Sequence, residues 1–196
     1  MKSSPKAAKK IGVKAYIVMP KNAPQVKKEA VKTYKGEIIE CDSNPAAREQ
    51  MAARIQNETG ATFIHPSNDD QVILGQGTAA MELLEDYPEL DYIFSPVGGG
   101  GLIAGTALAA TFFSDHCKVI GGEPKNADDA YRSLLSGKIE FNDQVNTIAD
   151  GLRTFLGDRN FPIIKKYVEG SSIIMTNEHR SYNGLRTVGY EHYTIK

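Results

Sequence analysis

Short runs of β-branched and other apolar residues alternate along the chain with longer stretches whose apolar residues recur at helical spacing. This alternation is typical of βαβ units, in which parallel strands form a sheet covered by helices. The pattern therefore predicts an α/β fold with parallel sheets flanked by helices. Strands are predicted at residues 15–19, 37–41, 61–64, 92–95, 118–121 and 172–175.

Residues that start and stop helices bound the intervening segments. Pro24 and the pair Asn44-Pro45 suit a first helical turn, and Gly60 suits a helix end. Helices are predicted at about residues 24–34, 44–58, 72–84 and 162–167 and in the alanine-rich stretch after Gly101, and the chain is expected to start within another. Between the predicted strand at residues 118–121 and the predicted helix at residues 162–167, the chain is predicted to be irregular.

A polar, turn-forming stretch from His65 to Gln71 interrupts the pattern and predicts a crossing between two lobes. We place the boundary after residue 66. Residues 1–66 are then a smaller α/β lobe, residues 67–175 belong to a larger lobe, and residues 176–196 form a divergent tail.

Composition narrows the classes of protein to consider. The chain has 196 residues, of which 41% are hydrophobic and 24% charged, as in ordinary globular proteins. It has no apolar run of about 18 residues and no apolar leader at its start, which predicts a cytoplasmic protein without a membrane span. Cys41 and Cys117 lie in separate apolar runs without the spacing of paired ligands, which predicts buried thiols in a reducing compartment rather than a disulfide or zinc site.

Charge is unevenly distributed, although the formal net charge is only -1. Residues 1–40 contain ten lysines and few acids. No aromatic residues interleave with these lysines as a stacking platform for bases would require. The lysines therefore predict a solvated surface, and nucleic-acid binding is not expected.

Four consecutive glycines, Gly98–Gly101, follow a predicted strand and precede a predicted helix. Such a glycine loop leaves backbone N–H groups uncovered at a helix N-terminus, where an anion such as phosphate binds well. A simple turn is the alternative interpretation, but one glycine usually suffices for a turn. The spacing does not match the fingerprints of nucleoside triphosphate or dinucleotide sites, which favours a ligand with one phosphate, such as pyridoxal phosphate (PLP).

The segment from Ser95 to Leu102 resembles the PLP phosphate loop of serine racemases and serine/threonine dehydratases. This resemblance extends in order from about Gly12 to about Val168 and implies a fold type II PLP architecture, with a small and a large α/β domain. Residues 1–66 would then be the remainder of the small domain, and residues 67–175 part of the large PLP-binding domain. The other matching segments are His65-Pro66, Gly75–Thr78, Glu123-Pro124, Ala127–Asp129 and Thr147–Gly151.

The resemblance implies roles for individual residues near the cofactor. Gly98, Gly99, Gly100 and Gly101 would donate backbone N–H groups to its phosphate, with Leu102 opening the helix behind them. Gly151 would let the backbone approach the cofactor ring, and Asp150 would support it. Ser67 stands where related enzymes have an aromatic residue or an asparagine. His65 beside Pro66 is more often structural than a general base.

The resemblance also implies a divalent cation held by the Glu123 and Asp129 carboxylates and the Ala127 carbonyl. These hard oxygen ligands suit Mg²⁺ or Ca²⁺ rather than zinc. The alternative is that Asp128 and Asp129 cap a helix that continues toward Leu135. The resemblance also implies that Tyr34 contacts an ATP effector. The alternative is that Tyr34 only closes a helix.

No catalytic residue is assigned within this chain. In the family, the lysine that forms the Schiff base with PLP lies in a segment resembling Ser-Phe-Lys, upstream of the match, and Lys6, Lys9 and Lys10 do not replace it. We therefore expect little catalysis from these residues alone.

The activity implied for the family is racemisation of serine, or elimination of water from serine or threonine, by a homodimer. The sequence leaves racemase and dehydratase open. One alternative is a non-catalytic regulatory or binding subunit that retains the phosphate loop and cation site. Another is a plain nucleotide-binding α/β module, whose fingerprint is missing.

Overall fold

The computed structural model describes residues 3–168, which divide into two compact units between Ile64 and His65. Parallel strands alternate with helices in each unit, which confirms the predicted α/β class. Within the described residues, no helix is both long and apolar enough to span a membrane. The elements are α1 (Ser3–Ile11), β1 (Tyr16–Pro20), α2 (Gln25–Thr33), β2 (Glu37–Cys41), α3 (Pro45–Thr59), α4 (Asp70–Asp86), β3 (Tyr92–Pro96), α5 (Gly101–Phe113), β4 (Lys118–Gly122), α6 (Asp129–Ser136) and α7 (Asn160–Tyr167), with a 3-10 turn at Asp150–Leu152.

The first unit is built on strands β1 and β2, which pair in parallel with Val18 opposite Ile39. Helix α2 connects them, and α3 packs against both strands. The predicted ends of α3 are confirmed. The Asn44 side chain accepts the Ala47 N–H at 2.8 Å, and Gly60 ends the helix in a left-handed conformation with φ 68°.

The second unit pairs β3 with β4 in parallel, with Ile93 opposite Val119, and connects them through α5. Helices α4 and α5 pack closely because both are glycine- and alanine-rich at the contact. A Cβ at Gly77 would lie 2.7 Å from the Gly105 carbonyl oxygen, and a Cβ at Gly105 would lie 2.6 Å from the Gly77 nitrogen. The backbones of the two helices therefore touch at this point.

Two sequence-based expectations need correction. Residues 61–64 are not a strand, since β1 and β2 pair only with each other among the described residues and offer this segment no ladder. The region predicted to be irregular contains helix α6, because Ala130 and Leu134 pack against the hydrophobic core of the second unit. The predicted strand at residues 172–175 and the tail at residues 176–196 lie outside the described residues.

Candidate functional site

The glycine loop joins the end of β3 to the first turn of α5, in the second unit. Gly99, Gly100 and Gly101 are buried, and Gly98 is half-buried. Within residues 3–168, the backbone N–H groups of these four glycines donate no hydrogen bond to a protein acceptor. Because buried N–H groups are nearly always paired, this cluster of donors is suited to an anion.

The glycine loop is tightly packed rather than a loose turn. A Cβ at Gly98 would lie 2.8 Å from the Gly151 carbonyl oxygen, and one at Gly101 would lie 2.5 Å from the Ser67 carbonyl oxygen. Gly100 adopts φ 87°, a left-handed conformation, and a Cβ there would lie 2.5 Å from Leu156 Cδ1. At Gly99 a Cβ would collide with Ser67 Oγ. These contacts exclude side chains and argue against the simple-turn alternative.

A short turn, His65 to Asn68, lies against the glycine loop. The Nδ1 atom of His65 accepts the N–H groups of Ser67 at 3.2 Å and Asn68 at 2.7 Å, so the imidazole organises this turn. Asn68 then bonds to the segment before α7, because its side chain donates to Asp158 at 2.7 Å and accepts the Arg159 N–H at 3.0 Å. His65 thus acts here as a structural residue.

Asn160, which sequence reasoning missed, connects the turn at His65–Asn68 to the glycine loop. Its side chain is fully buried, and its Nδ2 atom donates to the carbonyl oxygens of Gly99 at 2.6 Å and Ser67 at 3.0 Å. The Gly157 N–H also donates to the Gly99 carbonyl, at 3.1 Å. The only sequence signal is a polar residue at the start of a short amphipathic helix, which is indistinguishable from an ordinary helix cap.

Two further predicted residues lie beside the glycine loop. Leu102 is in the first turn of α5 and is half-buried. Gly151 lies in the 3-10 turn that follows Ala149, and its carbonyl contacts the site of Gly98. A Cβ at Gly151 would meet nothing within 4 Å, so the turn is open on that side within the described residues.

The carboxylate pair, Glu123 and Asp129, lies between the end of β4 and the start of α6. Asp129 is 2% exposed, and its carboxylate accepts the Leu156 N–H at 3.0 Å and the Asn142 side-chain N–H at 2.7 Å. The Glu123 carboxylate accepts the Tyr131 N–H at 2.9 Å. The two acids are therefore held by donors from three different segments.

Burial, followed by the negative charge of Asp129, raises the pKa of the Glu123 carboxyl to about 9, while the N–H of Ala130 opposes this change. Burial also raises the pKa of Asp129, although the Leu156 N–H and the Asn142 side chain lower it. Two carboxyl groups whose ionised forms are disfavoured in this way are suited to a cation, which would favour both carboxylates.

The predicted third ligand, Ala127, is buried, and its N–H closes the turn before α6 by donating to the Pro124 carbonyl oxygen. Within the part of the chain that the structure describes, no group of three or more His, Cys, Asp or Glu side chains is arranged around one point. A site here would accordingly combine the carboxylate pair with backbone oxygen and water. The assignment of Glu123, Ala127 and Asp129 stays a prediction.

The alternative role of Asp128 and Asp129 as helix caps is only partly right. Helix α6 exists and Asp128 occupies its N-cap position, but the Asp128 side chain makes no capping hydrogen bond. Glu123 takes that role by accepting the N–H groups of Ala130 at 3.3 Å and Tyr131. Asp128 instead pairs with Arg132 at 2.9 Å.

A family profile described as "Pyridoxal-phosphate dependent enzyme" matches residues 6–193. The chain belongs to this family. The match starts before and ends after the segment, about Gly12 to Val168, that the sequence resemblance covered. The predicted resemblance to serine racemases and serine/threonine dehydratases is also confirmed by individual relatives.

The chain is 47% identical over 171 residues to serine racemase from Oryza sativa subsp. indica, and this alignment covers 87% of the chain and 50% of that protein. Maize serine racemase superposes with a TM-score of 0.83 at 48% identity, covering 86% of this chain and 51% of that one. A threonine deaminase from T.th. superposes with a TM-score of 0.81 at 42% identity, covering 86% of this chain and 56% of that one. The chain thus spans about half the length of these relatives.

The glycine loop of this PLP-dependent family member fits the cofactor that the family name implies. Its donors are buried or half-buried and have no protein acceptor in the part of the chain that the structure describes, and the first turn of α5 contains no acidic residue that would repel a phosphate. The helix dipole adds a partial positive charge at the same place. Gly98–Gly101 are therefore the residues that would hold the phosphate.

Tyr34 belongs to the first unit, where it is the C-cap residue of α2. The Lys9 ammonium lies 5.9 Å from the centre of its ring. Tyr34 thus occupies the helix-closing position that was the alternative interpretation, and its role in nucleotide binding stays a prediction.

Proposed function

We propose that this chain provides the phosphate-binding part of a PLP-dependent enzyme that racemises hydroxy amino acids or eliminates water from them. The observation that carries the proposal is the set of four N–H groups on Gly98–Gly101 at the N-terminus of α5. They are buried or half-buried and have no protein acceptor within the described residues. Serine and threonine are the proposed substrates, because the relatives named above are serine racemases and a threonine deaminase.

When bound, PLP supplies an electron sink for the negative charge that develops at the α-carbon of an amino acid. The part of this chain in that chemistry is to hold the cofactor by its phosphate. The donors of the glycine loop belong to the backbone of a tightly packed segment and need no side-chain movement. Such fixed donors lose little conformational freedom on binding, which favours tight binding of a phosphate.

Ser67 and Gly151 are proposed to border the cofactor site. The Ser67 carbonyl contacts Gly101, and the Gly151 carbonyl contacts Gly98, so both residues adjoin the phosphate donors. The space around Gly151 would admit a ring close to the backbone. These contacts support the predicted positions without assigning a proton transfer to either residue.

We also propose that the carboxylate pair and the Ala127 carbonyl bind Mg²⁺ or Ca²⁺. The support is the raised pKa of both buried carboxyls, since a divalent cation would compensate the charge that burial disfavours. The cation would also fix Glu123 against the first turn of α6. Its expected role is structural, because Glu123 already caps that helix.

Three further properties are proposed: an ATP effector near Tyr34 and assembly as a homodimer, both from the resemblance, and a cytoplasmic location, from the sequence. The ring of Tyr34 and the nearby Lys9 ammonium would suit an adenine ring and a phosphate. Titration with ATP should then alter the fluorescence of the wild-type chain but not that of Tyr34→Ala.

The test of the proposed function compares PLP with pyridoxal, which lacks the phosphate. The chain should bind PLP at least about tenfold more tightly, since several charge-assisted hydrogen bonds distinguish the two ligands. Isothermal titration calorimetry measures both affinities. Equal affinities would contradict the proposal.

Borohydride reduction followed by peptide mass spectrometry then separates an enzyme from a binding subunit. A covalent adduct on one unique lysine would indicate that the chain supplies its own covalent attachment. Phosphate-dependent binding without an adduct would favour the alternative of a non-catalytic binding subunit.

A further inference from the structure

Asn160 is the first residue of α7, and its amide is completely buried beneath the glycine loop. Its Nδ2 atom donates to two carbonyl oxygens, on Gly99 at 2.6 Å and on Ser67 at 3.0 Å. A carbonyl oxygen can only accept, so the amide nitrogen must face both of them. Each of its two hydrogens has one acceptor, which fixes the orientation of the side chain.

The hydrogen bond from Asn160 to the Gly99 carbonyl also determines the direction of the Gly100 N–H, which belongs to the same peptide group. The Gly99 carbonyl accepts from both Asn160 and the Gly157 N–H, which holds the Gly99–Gly100 peptide plane. No cis peptide bond occurs in the described residues, and in a trans peptide the C=O and N–H bonds point in opposite directions. The Gly100 N–H therefore points away from Asn160.

Hydrogen bonding at the carbonyl also polarises the peptide, which makes its N–H a stronger donor. The Gly100 N–H belongs to the residue with φ 87°, whose conformation is otherwise free to flip because glycine has no Cβ. The two bonds to the Gly99 carbonyl remove that freedom.

The oxygen of the Asn160 amide, unpaired within the described residues, indicates that the two hydrogen bonds donated by Nδ2 are the reason for an asparagine at this position. Asn160 Oδ1 is buried and has no hydrogen-bond partner within the described residues. An unpaired buried acceptor is costly, and an apolar side chain of similar size would avoid the cost. A residue selected for packing alone would not be an asparagine.

We propose that Asn160 is a positioning residue for the anion site: it holds the Gly99–Gly100 peptide and the Ser67 carbonyl so that the Gly100 N–H is directed at the cofactor phosphate. The proposal deepens the proposed function and rests on it. It concerns a side chain that touches no ligand itself and acts through the backbone.

The experiment measures the affinities of PLP and pyridoxal for the wild-type chain, Asn160→Leu and the control Val168→Ala. Val168 is a buried apolar residue at the other end of α7, so its truncation weakens the packing of the same helix without changing the amide. Asn160→Leu should lower the preference for PLP over pyridoxal about tenfold, while Val168→Ala should stay within about twofold of the wild type.

Nitrogen-15 NMR of the ligand-free chains adds a readout that loss of stability would not move. The Gly100 amide resonance should shift in Asn160→Leu and remain in place in Val168→Ala, because only the former removes the hydrogen bond from Asn160 to the Gly99 carbonyl. An unchanged Gly100 resonance together with an unchanged PLP preference would overturn the inference while leaving the proposed function intact. A wild-type chain with no preference for PLP would overturn both.

Asn160→Asp decides the matter if the leucine variant does not fold, since it has nearly the same shape. The carboxylate cannot donate to the Gly99 carbonyl, so the preference for PLP should again fall. At lower pH the protonated carboxyl can donate one hydrogen bond, and the gap to the wild type at the same pH should narrow. A gap that is absent at all pH values would overturn the inference.

Discussion

Helices α5 and α6 both follow a strand of the same parallel sheet, yet the surroundings of their N-termini are opposite. The start of α5 has no acidic residue and no paired N–H group on Gly98–Gly101 within the described residues. The start of α6 has Asp129 in its first turn, and Glu123 accepts its N–H groups. One helix end is thus open to an external anion, and the other is capped by a carboxyl group of the chain itself.

The difference shows that a helix N-terminus is not a binding site by itself. In both helices the first N–H groups have no acceptor within the helix itself, and the helix dipole is positive at this end. The neighbouring residues decide whether a ligand is needed. Four glycines keep side chains away from the start of α5. At α6 the Glu123 carboxyl group of the chain itself accepts the first N–H groups of the helix.

The largest effect is expected from closing the open end. Gly100→Ala would force an L-residue into φ 87° and press a Cβ against Leu156. We expect a loss of about 1–3 kcal/mol in the free energy of unfolding and loss of measurable preference for PLP over pyridoxal. Urea denaturation and calorimetric titration measure the two effects.

The matched control is Gly122→Ala, at the end of β4, where an added Cβ would meet nothing within 4 Å. This variant should retain both stability and PLP preference. If Gly100→Ala and Gly122→Ala had the same stability and the same preference for PLP, the phosphate site would not depend on the exclusion of side chains from the glycine loop.

An intermediate effect is expected from pH at the closed end. The pKa of Glu123 rises from 4.5 to about 9 on folding, so the folded chain keeps a proton that the unfolded chain releases. Stability from this group is fully present below a pH of about 4.5 and is lost progressively up to about 9. Urea midpoints across this range should therefore fall as the pH rises.

Glu123→Gln should flatten this dependence, because glutamine has a similar shape and does not ionise. Added Mg²⁺ or Ca²⁺ should raise the midpoint of the wild type most at high pH, where both acids of the carboxylate pair are ionised, and should affect Glu123→Gln less. A wild-type profile that is flat, or that rises with pH, would contradict the assigned pKa direction.

The smallest effect is expected at Asp128, the formal N-cap of α6. Within residues 3–168 its side chain makes no capping bond, and it pairs with the partly exposed Arg132. Asp128→Asn should change the free energy of unfolding by less than about 1 kcal/mol. A larger loss by thermal denaturation would mean that Asp128, rather than Glu123, closes the helix end.

Sequence reasoning predicted the features that depend on local pattern. The alternation of apolar runs placed β1, β2, β3 and β4 within about a residue of their observed bounds. The glycine loop was predicted because four adjacent glycines are unusual without a ligand. In both cases the information lies within a short window of sequence.

The features that were missed depend on contacts distant in sequence. The bond from Asn160 to Gly99 joins residues 61 positions apart, and nothing near Asn160 indicates it. The capping role of Glu123 depends on how far the turn after β4 carries the chain before α6 begins. Residues 61–64 have the composition of a strand, but a strand also needs a neighbour, which composition does not reveal.

The contact between Gly77 and Gly105 has a consequence for how variation in this chain should be interpreted. Gly105 lies one helical turn beyond Gly101, and its backbone rests directly on α4, so neither glycine can acquire a side chain without separating the two helices. A survey of tolerated substitutions would therefore find these positions as intolerant as the loop glycines, although no ligand is proposed to bind there. A glycine that tolerates no substitution in this chain indicates that two backbones are in contact. Only a ligand-binding measurement distinguishes a glycine of the phosphate site from a glycine at the contact between two helices.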